Sequence, residues 1–184
     1  MYGKSWRSDS VRGRLVSDMA EIRLVRIDFR LIHGQVITKW FAASRSNTIL
    51  VVDDELAADD FMASIYEMSA PPGAKVLVKT VEDAVALWNG GGLGDAKVLV
   101  LFRTVEQTYK AFKLGFPLTD VQIGGLGSAP GRKVVFGPIT LDDADARTLK
   151  EMSDAGVHVY LHQVPEEGSM ELTKVLEKND FNLG

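Results

Sequence analysis

Apolar residues in this chain fall into short runs that alternate with helical patterns from Ile22 to the carboxyl terminus. The runs TILVVD (48–53) and KVLVLF (97–102) are almost continuously apolar, which is typical of strands covered on both faces. On this basis we predict seven strands, over Ile22–Asp28, Thr48–Asp53, Lys75–Lys79, Lys97–Phe102, Asp120–Ile123, Lys133–Phe136 and Val157–Gln163.

Threonines and glycines mark the ends of the predicted helices. A threonine followed three residues later by an acid or an amide is a helix-start pattern, and it occurs at Thr80, Thr104 and Thr140. Glycines that can end a helix follow, at Gly90, Gly115 and Gly156. Strands that alternate with helices through short links predict a single α/β domain, with a mainly parallel central sheet and helices on both faces.

Composition narrows the classes of function. The 184 residues are 46% hydrophobic, which suits one compact domain. A formal net charge of -4 gives no general attraction to nucleic acid or to an anionic membrane. The chain has no cysteine, which excludes disulfides, thiol catalysis and thiolate metal sites. No apolar run approaches the roughly 18 residues of a membrane-spanning helix, so we expect no direct membrane insertion.

The first twenty residues differ from the rest of the chain. They are rich in arginine and serine, show neither helical nor strand periodicity, and lack the apolar middle of a secretory signal. We therefore predict a disordered tail or an expression leader over residues 1–20, and a folded domain over residues 21–184.

The most unusual strand end is the first one. Ligands of open α/β sheets bind outside the carboxyl ends of the strands. Here Arg26, Asp28 and Arg30 share one side of the strand, and His33 and Gly34 precede a predicted helix. Free N–H groups and the dipole at a helix start favour a bound phosphate, and they keep an imidazole neutral and nucleophilic.

Two interpretations fit this pattern. In the first, His33 accepts a phosphoryl group, Asp28 orients its ring, and Arg26 and Arg30 neutralise the phosphoryl oxygens. In the second, the arginines and Asp28 form a surface ion network beside an ordinary half-buried histidine. The residue pattern by itself favours the second interpretation.

The string RIDFRLIHGQV at 26–36, followed by Trp40, resembles the signature of the mannose/fructose/sorbose-class IIB components of the bacterial phosphoenolpyruvate-dependent sugar phosphotransferase system. The similarity covers about residues 22–180, and it continues through ILVVDDELA (49–57), APPG (70–73), Gly124-Gly125 and QVP (163–165). The resemblance implies that His33 is the phosphorylated nucleophile and Arg30 its main phosphate-binding partner. Asp28 and Arg26 then support the loop.

The resemblance also implies a function and its partners. We expect a phosphotransferase that accepts a phosphoryl group from a IIA component and transfers it to a sugar taken up by membrane IIC/IID components. It needs no cofactor or metal. We expect it in the cytoplasm, where partner subunits can hold it at the inner face of the membrane.

Two residues depart from the family pattern. Phe29 replaces a residue that is often acidic or small and polar, and Gln122 replaces a frequent asparagine before the Gly-Gly turn. Phe29 either lies on the exposed rim of the site, with the loop 126–132, or packs under the sheet.

The sequence is also compatible with two other functions. The same fold and His33 would serve a regulatory phosphoprotein or interaction module without sugar transport, and the sequence does not separate this from a carrier. A hydrolase is disfavoured, because no general base other than Asp28 is evident near His33.

Other candidate sites have simpler explanations. The acids at 53–55 and 59–60 could bind magnesium, but solvated helix starts are the expected interpretation. His158 and His162 are about 13 Å apart along a strand and cannot share an ion. The glycines at 90–94 and 124–131 lack the G-K-[ST] of a P-loop, so we expect turns, the second of which could line the crevice.

Overall fold

The computed structural model describes residues 19–184, and a seven-stranded sheet forms its centre. The strands are β1 (Glu21–Asp28), β2 (Thr48–Val52), β3 (Lys75–Lys79), β4 (Lys97–Phe102), β5 (Asp120–Gly125), β8 (His158–Leu161) and β9 (Met170–Glu171). Their order is β3-β2-β4-β1-β5-β8-β9, and every pairing is parallel except that of β8 with β9. The short strands β6 (Lys133–Phe136) and β7 (Ile139–Leu141) form a separate antiparallel hairpin.

Helices cover both faces of the sheet, as predicted. A π-helix (Val36–Phe41) continues into α1 (Ala42–Ser44), and the others are α2 (Asp54–Ala57), α3 (Asp60–Met68), α4 (Val81–Asn89), α5 (Val105–Lys113), α6 (Asp143–Asp154) and α7 (Leu172–Lys178). One core lies between the sheet and the helices α4 to α7. A second core on the opposite face includes residues of the π-helix, α2 and α3. The predicted α/β class is therefore confirmed.

The predicted helix starts are right in two cases and wrong in one. Thr80 and Thr104 cap α4 and α5, each accepting a hydrogen bond from the backbone N–H three residues later. Thr140 does not cap a helix, because it lies in β7 and its hydroxyl accepts a hydrogen bond from Arg132. Asp142 caps α6 instead. The helices α4, α5 and α6 end next to Gly90, Gly115 and Gly156, as expected.

Three further predictions concern the amino-terminal tail, membrane-spanning helices and the glycine-rich run GGGLG. The predicted tail over residues 1–20 falls mainly on residues 1–18, which lie outside the described residues. Within residues 19–184, no helix combines the length and the apolar character needed to cross a bilayer. The run GGGLG at 90–94 forms the end of α4 and a turn, as expected.

Candidate functional site

The site lies at the carboxyl end of β1, the strand in the middle of the sheet. Asp28 is the last residue of this strand and pairs with Gly125 of β5, and Arg26 pairs with Gln122. Both Arg26 and Asp28 have no exposed surface. The ion network of the second interpretation is therefore buried at Arg26 and Asp28 and reaches the surface only at Arg30, whose side chain is 38% exposed.

Arg26 is held from several directions. Its guanidinium donates hydrogen bonds to Gln122 Oε1 at 2.5 Å, to the carbonyl oxygens of His162 and Gln163 at 2.9 and 3.2 Å, and to Asp28 Oδ2 at 3.0 Å. It also lies 5.2 Å from the ring centroid of Trp40. Burial lowers the pKa of Arg26 and Asp28 opposes this effect, and an arginine remains charged in a protein. Arg26 therefore presents a fixed positive charge to Asp28.

Asp28 is the centre of the site, because its carboxylate joins both arginines to His33. Oδ1 accepts a hydrogen bond from Arg30 Nε at 3.1 Å, and Oδ2 accepts one from Arg30 Nη2 at 3.2 Å. Burial raises the pKa of Asp28, but the hydrogen bonds from His33 and Arg30 and the charge of Arg26 outweigh it, lowering the pKa to about 2. Asp28 is ionised at neutral pH and can only accept hydrogen bonds.

His33 faces this carboxylate through one ring nitrogen. Nε2 lies 3.1 Å from Asp28 Oδ2, and the side chain is 17% exposed. An ionised carboxylate requires a donor, so Nε2 carries a proton, and in the neutral form of the ring the lone pair is then on Nδ1. No described residue contacts Nδ1 by a hydrogen bond.

Buried apolar residues on both sides of His33 fix the loop that carries it. Leu31 has a left-handed backbone conformation with φ of 53°, which is uncommon for a residue other than glycine. Its side chain is fully buried in the second core, together with Val36 of the π-helix. The sequence Leu31-Ile32-His33 therefore turns between an anchored leucine and an anchored helix, which positions the imidazole over Asp28.

The Gly124-Gly125 pair makes room for the buried charges. A Cβ atom on Gly124 would lie 1.7 Å from Cζ of Arg26, and one on Gly125 would lie 3.0 Å from Oδ1 of Asp28. Gly124 and Gly125 are the last residues of β5, so the expected turn is wrong at these two positions, and their lack of side chains has a steric cause.

Phe29 and Arg30 form the exposed rim. The side chain of Arg30 is 38% exposed, and Phe29 is 44% exposed. The Arg30 guanidinium lies 5.5 Å from the centroid of the Phe29 ring, whose edge faces Gly127. Phe29 therefore does not pack under the sheet, and it borders a cavity of about 340 Å³ together with the loop at Leu126–Ala129.

The other sequence candidates have structural roles. Asp53 and Asp59 cap α2 and α3, and Asp54 pairs with Lys110. Within residues 19–184, no group of histidine, aspartate and glutamate has the arrangement of a metal site. His158 bridges Asp120 and Glu171 at the opposite end of the sheet.

Comparison with known proteins decides the family. The model of the "PTS system sorbose subfamily IIB component" matches residues 22–184. The chain belongs to this family of IIB components. It is 30% identical to the sorbose-specific EIIB component of Klebsiella pneumoniae over 161 residues, which cover 88% of this chain and 98% of that protein. It is 32% identical to the sorbose-specific EIIB component of Lacticaseibacillus casei, over 85% of this chain and 96% of that protein.

Solved IIB structures have the same fold. The IIBSor domain of the Klebsiella pneumoniae sorbose permease superimposes with a TM-score of 0.81, at 30% identity over 88% of this chain and 99% of that one. The protein manxB from Thermoanaerobacter tengcongensis also gives 0.81, at 39% identity over 88% of this chain and 98% of that one. The chain is thus a phosphotransferase of the sugar phosphotransferase system, relaying a phosphoryl group from a IIA component to a sugar in partnership with IIC/IID components.

The structure brings together all four predicted site residues, and it adds others that sequence reasoning did not assign. His33, Arg30, Asp28 and Arg26 form one connected network. That network is held in place by Gln122, by Trp40 and by the carbonyl oxygens of residues 162 and 163. The family motif includes Trp40, and Gln122 lies two residues before the Gly124-Gly125 pair, but no sequence signal indicates that both face Arg26.

Proposed function

We propose that His33 is the phosphoryl carrier of this IIB component and that Nδ1 is its nucleophile. The observation that carries the proposal is the bond from Nε2 of His33 to the buried carboxylate of Asp28. That bond fixes the tautomer, and a neutral imidazole with its lone pair on Nδ1 is ready to attack phosphorus.

Phosphoryl transfer to His33 needs no proton acceptor. The Nδ1 lone pair of His33 forms the new nitrogen–phosphorus bond, while the bond between phosphorus and the donor residue breaks and its electron pair returns to the donor. The proton on Nε2 stays where it is. The positive charge that develops on the ring then faces the ionised carboxylate of Asp28, which stabilises the phosphorylated form.

Arg30 is the group that meets the phosphoryl oxygens. Asp28 fixes its Nε and Nη2, and no described residue accepts a hydrogen bond from Nη1. A partly exposed, oriented guanidinium suits the charge on the equatorial oxygens in transfer. Arg26 is buried and held on several sides, so we assign it the role of holding Asp28.

The proposed reaction sequence has two partners. A IIA component delivers the phosphoryl group, and the sugar bound by membrane IIC/IID components removes it. We propose that the protein works in the cytoplasm, at the inner face of the membrane while the sugar is phosphorylated. This chain is similar to IIB components along nearly their whole length, and those proteins are named for a sugar. This similarity favours a role in sugar phosphorylation over a regulatory module.

Labelling of histidine variants tests the proposal. The protein is incubated with the general phosphotransferase proteins, the matching IIA component and radiolabelled phosphoenolpyruvate, and acid-labile phosphate is counted. We expect the His33→Gln variant to lose the label, whereas His158→Gln and His162→Gln keep it. Undiminished labelling of His33→Gln, or loss of label from either control, would overturn the assignment.

A further inference from the structure

A second arginine at the carboxyl edge of the sheet, Arg103, is also held by a buried carboxylate, through Nε alone. Arg103 directly follows β4, the strand beside β1. Its Nε donates a hydrogen bond to Oδ2 of Asp53 at 2.6 Å. Asp53 has no exposed surface, and its other oxygen caps α2. A buried carboxylate thus holds Nε of the Arg103 guanidinium.

The other edge of this guanidinium faces the rim of the His33 site. Nη1 of Arg103 lies 3.5 Å from the carbonyl oxygen of Phe29, and the side chain is 34% exposed. No acceptor among residues 19–184 bonds to Nη2. Phe29 therefore has Arg30 against its ring and Arg103 against its backbone, so that both cations stand on the same rim.

The cavity of about 340 Å³ beside Phe29 has Arg103 in its wall. Its apolar lining comes from Phe29, Val105, Leu126 and Ala129. The acid Asp145 in the wall is already paired with Arg132, and Glu106 is at the exposed edge. Arg103 is thus a hydrogen-bond donor in the wall of a partly apolar recess, which meets the rim of the His33 site at Phe29.

We propose that Arg103 and this cavity dock the phosphorylated IIA donor, with Arg103 binding a carboxylate of the donor and the cavity receiving an apolar side chain beside it. Nη2 of Arg103 can donate a charge-assisted hydrogen bond to a carboxylate oxygen of the donor. Of the two partners in the proposed function, only the donor arrives with an anionic phosphoryl group, so a cationic rim attracts it preferentially. The inference rests on the proposed role of His33.

Steady-state transfer kinetics test the docking role. The transfer rate is measured at increasing concentrations of phosphorylated IIA for the wild-type protein, for the Arg103→Gln variant and for an Arg23→Gln control at the far end of β1. A glutamine amide at position 103 can still donate a hydrogen bond to Asp53, so folding is preserved. We expect KM for phosphorylated IIA to rise about tenfold in Arg103→Gln, with kcat within about twofold of wild type. The control should be unchanged.

A small phosphoryl donor separates this proposal from the role of His33. Phosphoramidate labels a reactive histidine without any protein partner, so Arg103→Gln should label at the wild-type rate on His33. If wild type is not labelled on His33 by either donor, the proposed function fails. If it is labelled, but KM for phosphorylated IIA is unchanged in Arg103→Gln or only the later transfer to sugar is slowed, the docking proposal is overturned.

Discussion

Asp28 receives hydrogen bonds from Arg26, Arg30 and His33, which makes this residue important both for folding and for the proposed chemistry. Its carboxylate neutralises part of the charge of two arginines, and it sets the tautomer of the histidine. Removing it would leave the buried guanidinium of Arg26 without its anionic partner, a change that typically costs several kcal/mol.

The lowered pKa of Asp28 predicts an acid-dependent loss of stability. A shift from 3.8 to about 2 corresponds to about 2 kcal/mol of folding free energy. Because the folded pKa is the lower one, this contribution is present above pH 3.8 and is lost as the pH falls towards 2. Denaturant unfolding measured between pH 5 and pH 2 should show the loss in wild type and in an exposed control, Glu166→Gln. The Asp28→Asn variant should not show this loss. If the free energy of unfolding falls equally with pH in Asp28→Asn and in wild type, the prediction is contradicted.

Arg30 should matter more for transfer than for stability. We expect Arg30→Ala to slow phosphoryl transfer by about 10²–10³-fold, the usual effect of removing an oriented donor to a developing charge. Its partly exposed ion pair should contribute about 1 kcal/mol or less to the free energy of unfolding. Single-turnover transfer and denaturant unfolding measure the two effects, with Arg23→Ala as the control for an exposed arginine. Reduced stability with an unchanged transfer rate would make Arg30 structural.

At the scale of elements, the end of β5 and the end of β1 constrain each other. The Arg26 side chain occupies the space next to Gly124, and Gln122 of the same strand bonds to it. Parallel pairing of β1 with β5 brings these residues together from distant parts of the chain.

Two glycine variants test this steric coupling. Gly124→Ala places a methyl group where Cζ of Arg26 now lies, so we expect it to destabilise the fold by about 1–3 kcal/mol and to impair transfer. Gly127→Ala is the matched control, because its Cβ would meet Phe29 at an ordinary contact distance of 3.5 Å. Thermal unfolding of the two variants provides the comparison, and the transfer rate of Gly124→Ala is compared with that of wild type. Equal tolerance of both substitutions would contradict this account of β5.

The elements differ in how far the sequence predicts them. Strands β2, β3 and β4 contain apolar runs of four, three and five residues, whereas β7 and β9 have only three and two residues in all, too few to show a periodicity. The pattern at Thr140 also failed, because the real cap, Asp142, lies two residues further along.

The sequence likewise predicts only part of the candidate site. The motif from Arg26 to His33 is local, so it could be recognised. Apart from Asp28, the hydrogen-bond partners of Arg26 lie 96 to 137 residues away in the chain, and only strand pairing and the loop at 162–163 bring them to it. The structure was therefore needed to show that Arg26 is buried among its partners, and that Arg30 is the arginine with an available edge.

At the scale of the whole molecule, a carrier must present one histidine in turn to a donor and to an acceptor. The described rim is open rather than covered, with Phe29 and Arg30 both exposed beside His33. Such a site suits modest, transient interfaces with two partners.

Phe29→Asp tests whether the rim is a contact surface. Since the ring is 44% exposed, we expect the variant to remain folded, with a free energy of unfolding within about 1 kcal/mol of wild type. Its transfer rate from IIA should change, because an exposed aromatic anchor is replaced by a negative charge next to Arg30. Circular dichroism melting and transfer kinetics are the measurements, with Phe61→Asp on the exposed part of α3 as the control. Loss of the folded state would place Phe29 in the core instead.

The most direct test of the central claim is to identify the nitrogen that carries the phosphoryl group. Protein labelled with ¹⁵N at its histidines is phosphorylated through phosphoenolpyruvate, the general proteins and IIA, and the ring nitrogens are followed by NMR. We expect one phosphorylated position, Nδ1 of His33, with the proton of Nε2 retained. A phosphoryl group on Nε2 of His33, or on either nitrogen of His158 or His162, would contradict it.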